Sequence, residues 1–243
     1  MMSRIGLLVP SSNTTVEPEF YRALPAGVTL HTARLYLTKI TPDAILGMVQ
    51  DMETQAKLLA SADVDVIVLG ATAPSFLKGL GYDRELIGKI EAASGKPATT
   101  TSTALIEAIR CLGAKRVVLG SAYDEKVSAI AQSFIEASGI TVLDAQGLGY
   151  VDNLKVGRLA ADTAYDLARK VDRPDADAIV LACTNWKTMD AIDRIERDTG
   201  KPVVSTTQAS VWAALRMIGA PGVTGYGRLL REVAAAGKQV QPA

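Results

Sequence analysis

The sequence predicts an α/β fold of two pseudo-symmetric, doubly wound lobes, each built on a mainly parallel four-stranded sheet. Three observations carry this expectation. The chain contains its own half-copy: VDVIVLGAT (64–72) aligns with ADAIVLACT (176–184) at an offset of 112 residues, and GKPATTTSTALIEAI (95–109) with GKPVVSTTQASVWAA (200–214) at an offset of 105. A repeat of that length indicates a duplicated domain rather than a solenoid. Short apolar runs bounded by Gly, Pro or Ser alternate with amphipathic stretches, which is the pattern of parallel strands joined by crossover helices. Finally, 243 residues of which 48% are hydrophobic can bury one large core or two of about 100 to 120 residues each.

Taken in order, the first half opens with the strand GLLVPSSN (6–13), followed by a helix containing Phe20 and the strand GVTLHTARL (27–35). A helix, the strand ending at Ala71, a second helix, the strand after GKP and a helix over 103–112 complete it. The second half repeats the sequence of parts, with RVVLGSAY (116–123) opposite GLLVPSSN and GITVLDAQG (139–147) opposite GVTLHTARL. Ala71 thereby faces Cys183, and Asn13 faces Tyr123. The short join LGAK near 113–115 predicts close-packed lobes, 1–114 and 115–214, with residues 215–243 returning to the first lobe as a turn and a last helix over 219–237. Right-handed crossovers place the strand C-termini, and the loops after them, along one edge of each sheet. The active site is therefore expected in the interlobe cleft.

Lys plus Arg equals Asp plus Glu at 26 each, so no net field favours nucleic acid or an acidic membrane surface. The apolar run near the N-terminus is too short for a signal peptide core or a membrane span. These features predict a cytoplasmic protein acting on a small molecule, with assembly into a homo-oligomer left open. Two cysteines and one histidine, without CxxC spacing, speak against a disulfide framework, a zinc site and a histidine-based relay. Neither GLGY (79–82 and 147–150) is a GxGxxG or a Walker A loop, and no cofactor is expected.

Cys183 stands between the apolar strand IVLA and the polar ThrAsn, before a helix expected to begin near Lys187. There a thiol meets turn N–H groups and a positive helix end, which can tune it and hold an adjacent anion; the bland alternative is a small buried hydrophobe. Cys111, in IEAIRCLG, has no activating neighbour and reads as core or half-buried. His31 reads as a hydrogen-bonded structural residue of its strand. The Ser/Thr clusters PSSNTT (10–15), ATAPS (71–75) and TTTST (99–103) can be simple N-caps, yet their convergence on one edge offers hydroxyl and amide donors for a carboxylate. Tyr123 can donate to the same anion.

At these residues the chain resembles the aspartate/glutamate racemase superfamily, and within it the branch of maleate cis-trans isomerases and arylmalonate decarboxylases. PSSNTTVEPEF (10–20), GSAY (120–123), Asn153 in VDNLKVGRL (151–159) and LACTNW (181–186) carry the likeness, which spans nearly the whole length. The resemblance implies that Cys183 is catalytic and that Asn13, Thr72, Tyr123, Asn153 and Thr184 contact a substrate carboxylate. It also implies that Leu37, Ile40 and Val156 form an apolar wall where the departing carboxylate is poorly solvated. Racemases and isomerases carry a cysteine at both half-strand ends, whereas this chain has Ala71 at the first. A single remaining cysteine resembles the decarboxylases, although Ala73 stands where their turn has a serine and Asn153 replaces an apolar residue.

The resulting expectation is decarboxylation of a small malonate-like diacid, with Cys183 protonating an enediolate on one face. The alternatives are an isomerase or racemase acting on a small dicarboxylate, with Ala71 in place of a lost or deliberately replaced cysteine, and a catalytically silent acid-binding protein.

Overall fold

The computed structural model describes residues 2–39 and 41–232. Its first sheet holds β1 (Ser3–Pro10), β2 (Val28–Leu35), β3 (Val66–Leu69) and β4 (Ala98–Thr100) in the order β2-β1-β3-β4. The second holds β5 (Arg116–Tyr123), β6 (Thr141–Tyr150), β7 (Ala178–Ala182) and β8 (Val203–Ser205) in the order β6-β5-β7-β8. Every pairing is parallel. The identical order in both sheets is the structural form of the internal repeat. β3 and β7 are buried along their whole length, as expected of parallel strands covered on both faces.

The helices are α1 (Val16–Ala23), α2 (Pro42–Met48), α3 (Met52–Ser61), α4 (Ala73–Lys78), α5 (Tyr82–Ser94) and α6 (Thr101–Cys111) in the first half. The second half has α7 (Glu125–Ala137), α8 (Asn153–Gly157), α9 (Asp162–Val171), α10 (Ile192–Thr199), α11 (Thr206–Met217) and α12 (Gly227–Arg231). Sequence periodicity predicts one helix per crossover, but three crossovers are split. Each begins with a short helix, α2, α4 or α8, and continues into a longer one. A 3-10 turn over Val49–Asp51 lies between α2 and α3, and positive-φ glycines at 79 and 81 separate α4 from α5, while Pro74 opens α4 and the Asp152 carboxylate caps α8 by accepting from the N–H groups of Leu154 and Lys155.

The core is continuous across the lobes. One hydrophobic cluster joins one face of the first sheet to the whole second lobe, through Val9, Phe20, Leu105, Ile109, Trp186 and Trp212, and a smaller one lies under α2, α3 and α5. The described part of the tail departs from expectation: α12 packs against α10, α11 and β8, so it belongs with the second lobe. Glu196 and Asp193 of α10 accept from the backbone N–H groups of Arg228 and Gly227, which fixes it there, and the Tyr226 hydroxyl donates across to the Arg22 carbonyl. Residues 233–243, which include the end of the turn and last helix expected over 219–237, lie outside the described residues. Among the described residues no helix is long and apolar enough to cross a membrane.

Candidate active site

The ends of β1, β3, β5 and β7 converge on one interlobe cavity of about 40 Å³, bordered by Asn13, Leu37, Ala71, Thr72, Tyr123, Asn153, Cys183 and Thr184. Ala71 and Cys183, equivalent in the repeat, both reach it. Ile45 and Met48 of α2, Pro10, Ala73, Pro74 and Asn185 complete the wall. Sequence reading passed over Ile45 and Met48, although their spacing of three is an apolar helix-face signal. Val156 does not border the cavity; it is fully buried in the core behind it, because α8 turns that face inward. Ile40 lies outside the described residues.

Cys183 has φ 146°, a region in which a residue with a Cβ is strained by about 1–3 kcal/mol. The turn over 184–188 enforces this. Its backbone folds back so that Trp186 N–H donates to the Cys183 carbonyl, while Cys183 N–H donates to Thr206 Oγ1 at 3.2 Å. The helix expected at Lys187 begins only at Ile192, after a 3-10 turn over Met189–Ala191. The cause is Glu19 of α1, a fully buried carboxylate whose Oε1 accepts from Thr188 and Met189 N–H at 3.1 and 3.2 Å. Those two donors hold the acid instead of extending the helix toward the thiol. Glu19 carried no recognisable signal in the sequence, since a glutamate in a helix is ordinarily exposed.

Burial pushes the Cys183 thiol up to about 11 from an ordinary 9.0; hydrogen bonds from Asn185 N–H, the Tyr123 hydroxyl and Trp186 N–H offset this only in part. The group is a thiol, not a thiolate, at neutral pH. Tyr123 is also raised well above its ordinary value, chiefly by burial and then by the adjacent sulfur. Its hydroxyl lies 2.7 Å from Thr72 Oγ1. A chain of exchangeable protons thus runs from Thr72 in the first lobe through Tyr123 to Cys183 in the second.

The amides stitch the lobes together at the cavity's edge. Asn13 Nδ2 donates to Thr184 Oγ1 at 3.1 Å, and Thr184 Oγ1 donates to the Gly70 carbonyl at 3.2 Å. Asn13 Oδ1 meanwhile accepts from Thr15 and Val16 N–H, capping α1. Thr14 N–H donates to Asn185 Oδ1, Asn185 Nδ2 to the Asn153 carbonyl, and Asn153 Nδ2 to Ser12 Oγ. Each of Asn13 and Asn153 keeps one amide proton beyond these bonds. The seam requires Gly157 as well: a Cβ there would lie 2.5 Å from Thr14 Oγ1 and 3.2 Å from the Asn185 amide.

Other expected features fall elsewhere. The hydroxyls of TTTST cap and join helices: Thr100 accepts from Thr103 N–H, and Thr101 Oγ1 is 2.9 Å from Ser210 Oγ of α11. Cys111 is exposed, not core or half-buried, because it ends α6 on the solvent side. His31 pairs with Thr29 at 3.1 Å on β2, away from the cavity. Among the described residues no three His, Cys, Asp or Glu side chains cluster closely enough to hold a metal ion.

Comparison with known proteins gives consistent results. The sequence pattern of the arylmalonate decarboxylase family matches residues 5–230. The chain is 32% identical to the arylmalonate decarboxylase of Bordetella bronchiseptica over 232 residues, covering 94% of this chain and 96% of that one. It superposes on a cysteine-to-alanine variant of the maleate isomerase Iso of Pseudomonas putida S16, solved with maleate, with a TM-score of 0.90 and 31% identity, covering 94% and 97% of the two chains. A cysteine-to-serine variant of the Nocardia farcinica maleate cis-trans isomerase, carrying a covalently bound succinylcysteine intermediate, gives 0.89 at 29% identity, covering 95% and 98%.

Proposed function

The chain belongs to the arylmalonate decarboxylase family, and on that premise we propose that it is a lyase that decarboxylates a small malonate-like diacid. The observation that carries this reading is the unequal pair at the two half-strand ends: on one wall of the cavity Ala71, which can neither accept nor deliver a proton, and on the other Cys183, a buried thiol that keeps its proton at neutral pH. One protonated carrier on one face is what a decarboxylase requires.

One carboxylate is held by the Thr72 and Tyr123 hydroxyls and the spare amide protons of Asn13 and Asn153. The other lies against Leu37 and the adjoining apolar wall, where poor solvation favours its loss. The bond from the central carbon to this carboxylate breaks, CO2 leaves, and the electron pair passes into an enediolate whose oxygens the same donors stabilise. Cys183 Sγ–H then protonates the carbon from one side, and the thiolate recovers a proton from solvent. The product is a single enantiomer, and these steps call on no metal or coenzyme.

A second reading, isomerisation of a maleate-like diacid, is favoured by the amides of Asn13 and Asn153 at the cavity and by the isomerase relatives. It requires a thiolate that adds to a double bond, which neither Ala71 nor a thiol pushed up to about 11 supplies. Proton NMR of the purified protein in D2O with methylmalonate, arylmalonates, maleate and citraconate separates the two. Decarboxylation gives α-deuterated monoacid; fumarate from maleate with no reaction of any malonate would overturn the proposal.

A further inference from the structure

Tyr123 is the last residue of β5 and is held in the ladder opposite Tyr150, whereas β1 ends at Pro10 and leaves Asn13, the counterpart of Tyr123 in the repeat, beyond its ladder. A carboxylate donor placed there needs another hold on its backbone. Arg34 of β2 supplies it. Paired with Val9 in the ladder, it sends its guanidinium to the turn after β1. Nη1 donates to the Ser11 carbonyl at 3.2 Å and to the Asn13 carbonyl at 3.0 Å, and Nη2 donates to Glu17 Oε2 of α1 at 2.7 Å. One planar group thus fixes both ends of the turn and the helix that follows it. Ser11 completes the clamp: its N–H donates to the Leu35 carbonyl at 2.6 Å, and its Oγ accepts from Leu37 N–H at 2.9 Å. At the equivalent position the second lobe has Gln146, whose Nε2 donates to Asp144 on its own strand. The clamp is therefore present only in the lobe whose donor lies outside the ladder.

The Arg34 and Glu17 side chains are 45% and 23% exposed, and an ion pair of that kind contributes little by itself. The two carbonyls are what tie Arg34 to the site, since it does not itself border the catalytic cavity. We infer that Arg34 is a positioning residue of the active site, which aims the Asn13 amide at a substrate carboxylate by fixing the Ser11 and Asn13 carbonyls. The inference rests on the proposed role of Asn13 as a carboxylate donor and not on whether the bound acid then decarboxylates or isomerises.

The test measures affinity by titration calorimetry for phenylacetate, which carries one carboxylate, and for succinate, a diacid with neither a labile carboxylate nor a double bond, so that nothing is turned over. Arg34→Ala removes the clamp, and Asn13→Ser removes the amide protons while keeping a cap for α1. Each is expected to weaken binding about tenfold, the scale of a hydrogen bond to a charged group. Because Arg34 acts through the turn that carries Asn13, the double variant should lose clearly less than the product of the two single losses. Arg34 is reachable from solvent, so methylguanidinium, and not methylammonium, should restore binding to Arg34→Ala. Arg34→Met keeps the stem of the side chain and takes the place of Arg34→Ala if that variant does not fold. Binding weakened by Asn13→Ser but unchanged in the Arg34 variants overturns the inference and leaves the carboxylate site standing, and so do single losses that multiply in full. Binding unaffected by Asn13→Ser, or absent from the wild type, overturns the carboxylate role of Asn13 and the inference with it.

Discussion

At the scale of the residue, Cys183 combines a strained backbone, full burial and a retained proton. Strain of this kind persists only where surrounding contacts over-determine it, and here they come from both lobes. On the proposed decarboxylase chemistry, Cys183→Ser replaces the thiol by a far weaker acid, so kcat should fall by about 10²- to 10⁴-fold, the usual worth of a positioned acid, with circular dichroism and melting nearly unchanged. Cys111→Ser, on the exposed end of α6, should leave kcat as it was. The pH profile follows from the same group. Its thiol lies at about 11, above the ordinary 9.0, so a rate that depends on Sγ–H stays level through pH 9 and falls only as pH approaches 11. A rate that climbs with pH from neutrality would show that the thiolate is the working form.

At the scale of the element, the short helices and their turns set the spacing between the lobes. Gly157 ends α8 where Thr14 and Asn185 meet. Gly157→Ala forces a methyl to within 2.5 Å of Thr14 Oγ1, and overpacking of this kind costs about 1–3 kcal/mol. A lower urea midpoint with an unchanged m-value, together with reduced kcat, is the expected outcome.

Helix α1 contributes through Glu19. Burial raises its carboxyl to about 7 from 4.5, and the Met189 N–H, the Thr207 hydroxyl, the Thr188 N–H and nearby Arg22 draw it down only in part. Because the folded value lies above the ordinary one, the folded state binds this proton more tightly. The resulting stability is present in full below about pH 4.5 and is lost as pH rises through about 7, by about 3 kcal/mol at most. Glu19→Gln keeps an acceptor for the two N–H groups and removes the charge. Urea unfolding at pH 5 and pH 8.5 should show a smaller difference for the variant than for the wild type, and a variant that is the more stable of the two at pH 8.5.

At the scale of the whole molecule, the duplicated lobes bring two equivalent strand ends to one cavity and give only one of them a proton carrier. The wild-type protein should therefore leave an enantiopure 2-arylpropanoate unchanged. Ala71→Cys restores the second carrier at the equivalent position, and it should introduce slow racemisation of that acid, measured by chiral chromatography. The activity should disappear again in Ala71→Cys/Cys183→Ser. Racemisation by the wild type would mean that another group works on the Ala71 face.

The sequence by itself determined the architecture, because the evidence for it is repeated and local. Short apolar runs and period-3.6 stretches appear twice in the same order, and burial on both faces writes a parallel strand as an unbroken apolar run. It also pointed to the strand ends bearing Ala71, Tyr123 and Cys183, since in such folds those ends share one edge. What it could not decide depended on partners remote along the chain. The thiol's retained proton comes from burial between lobes, and the turn after Cys183 replaces a helix start because a carboxylate 169 and 170 residues away takes the N–H groups of Thr188 and Met189. Val156 packs into the main core rather than bordering the cavity, and α12 joins the second lobe because Glu196 and Asp193 hold its first turn. These are outcomes of desolvation and of competition for a few buried donors, quantities that exist only once the two lobes have come together.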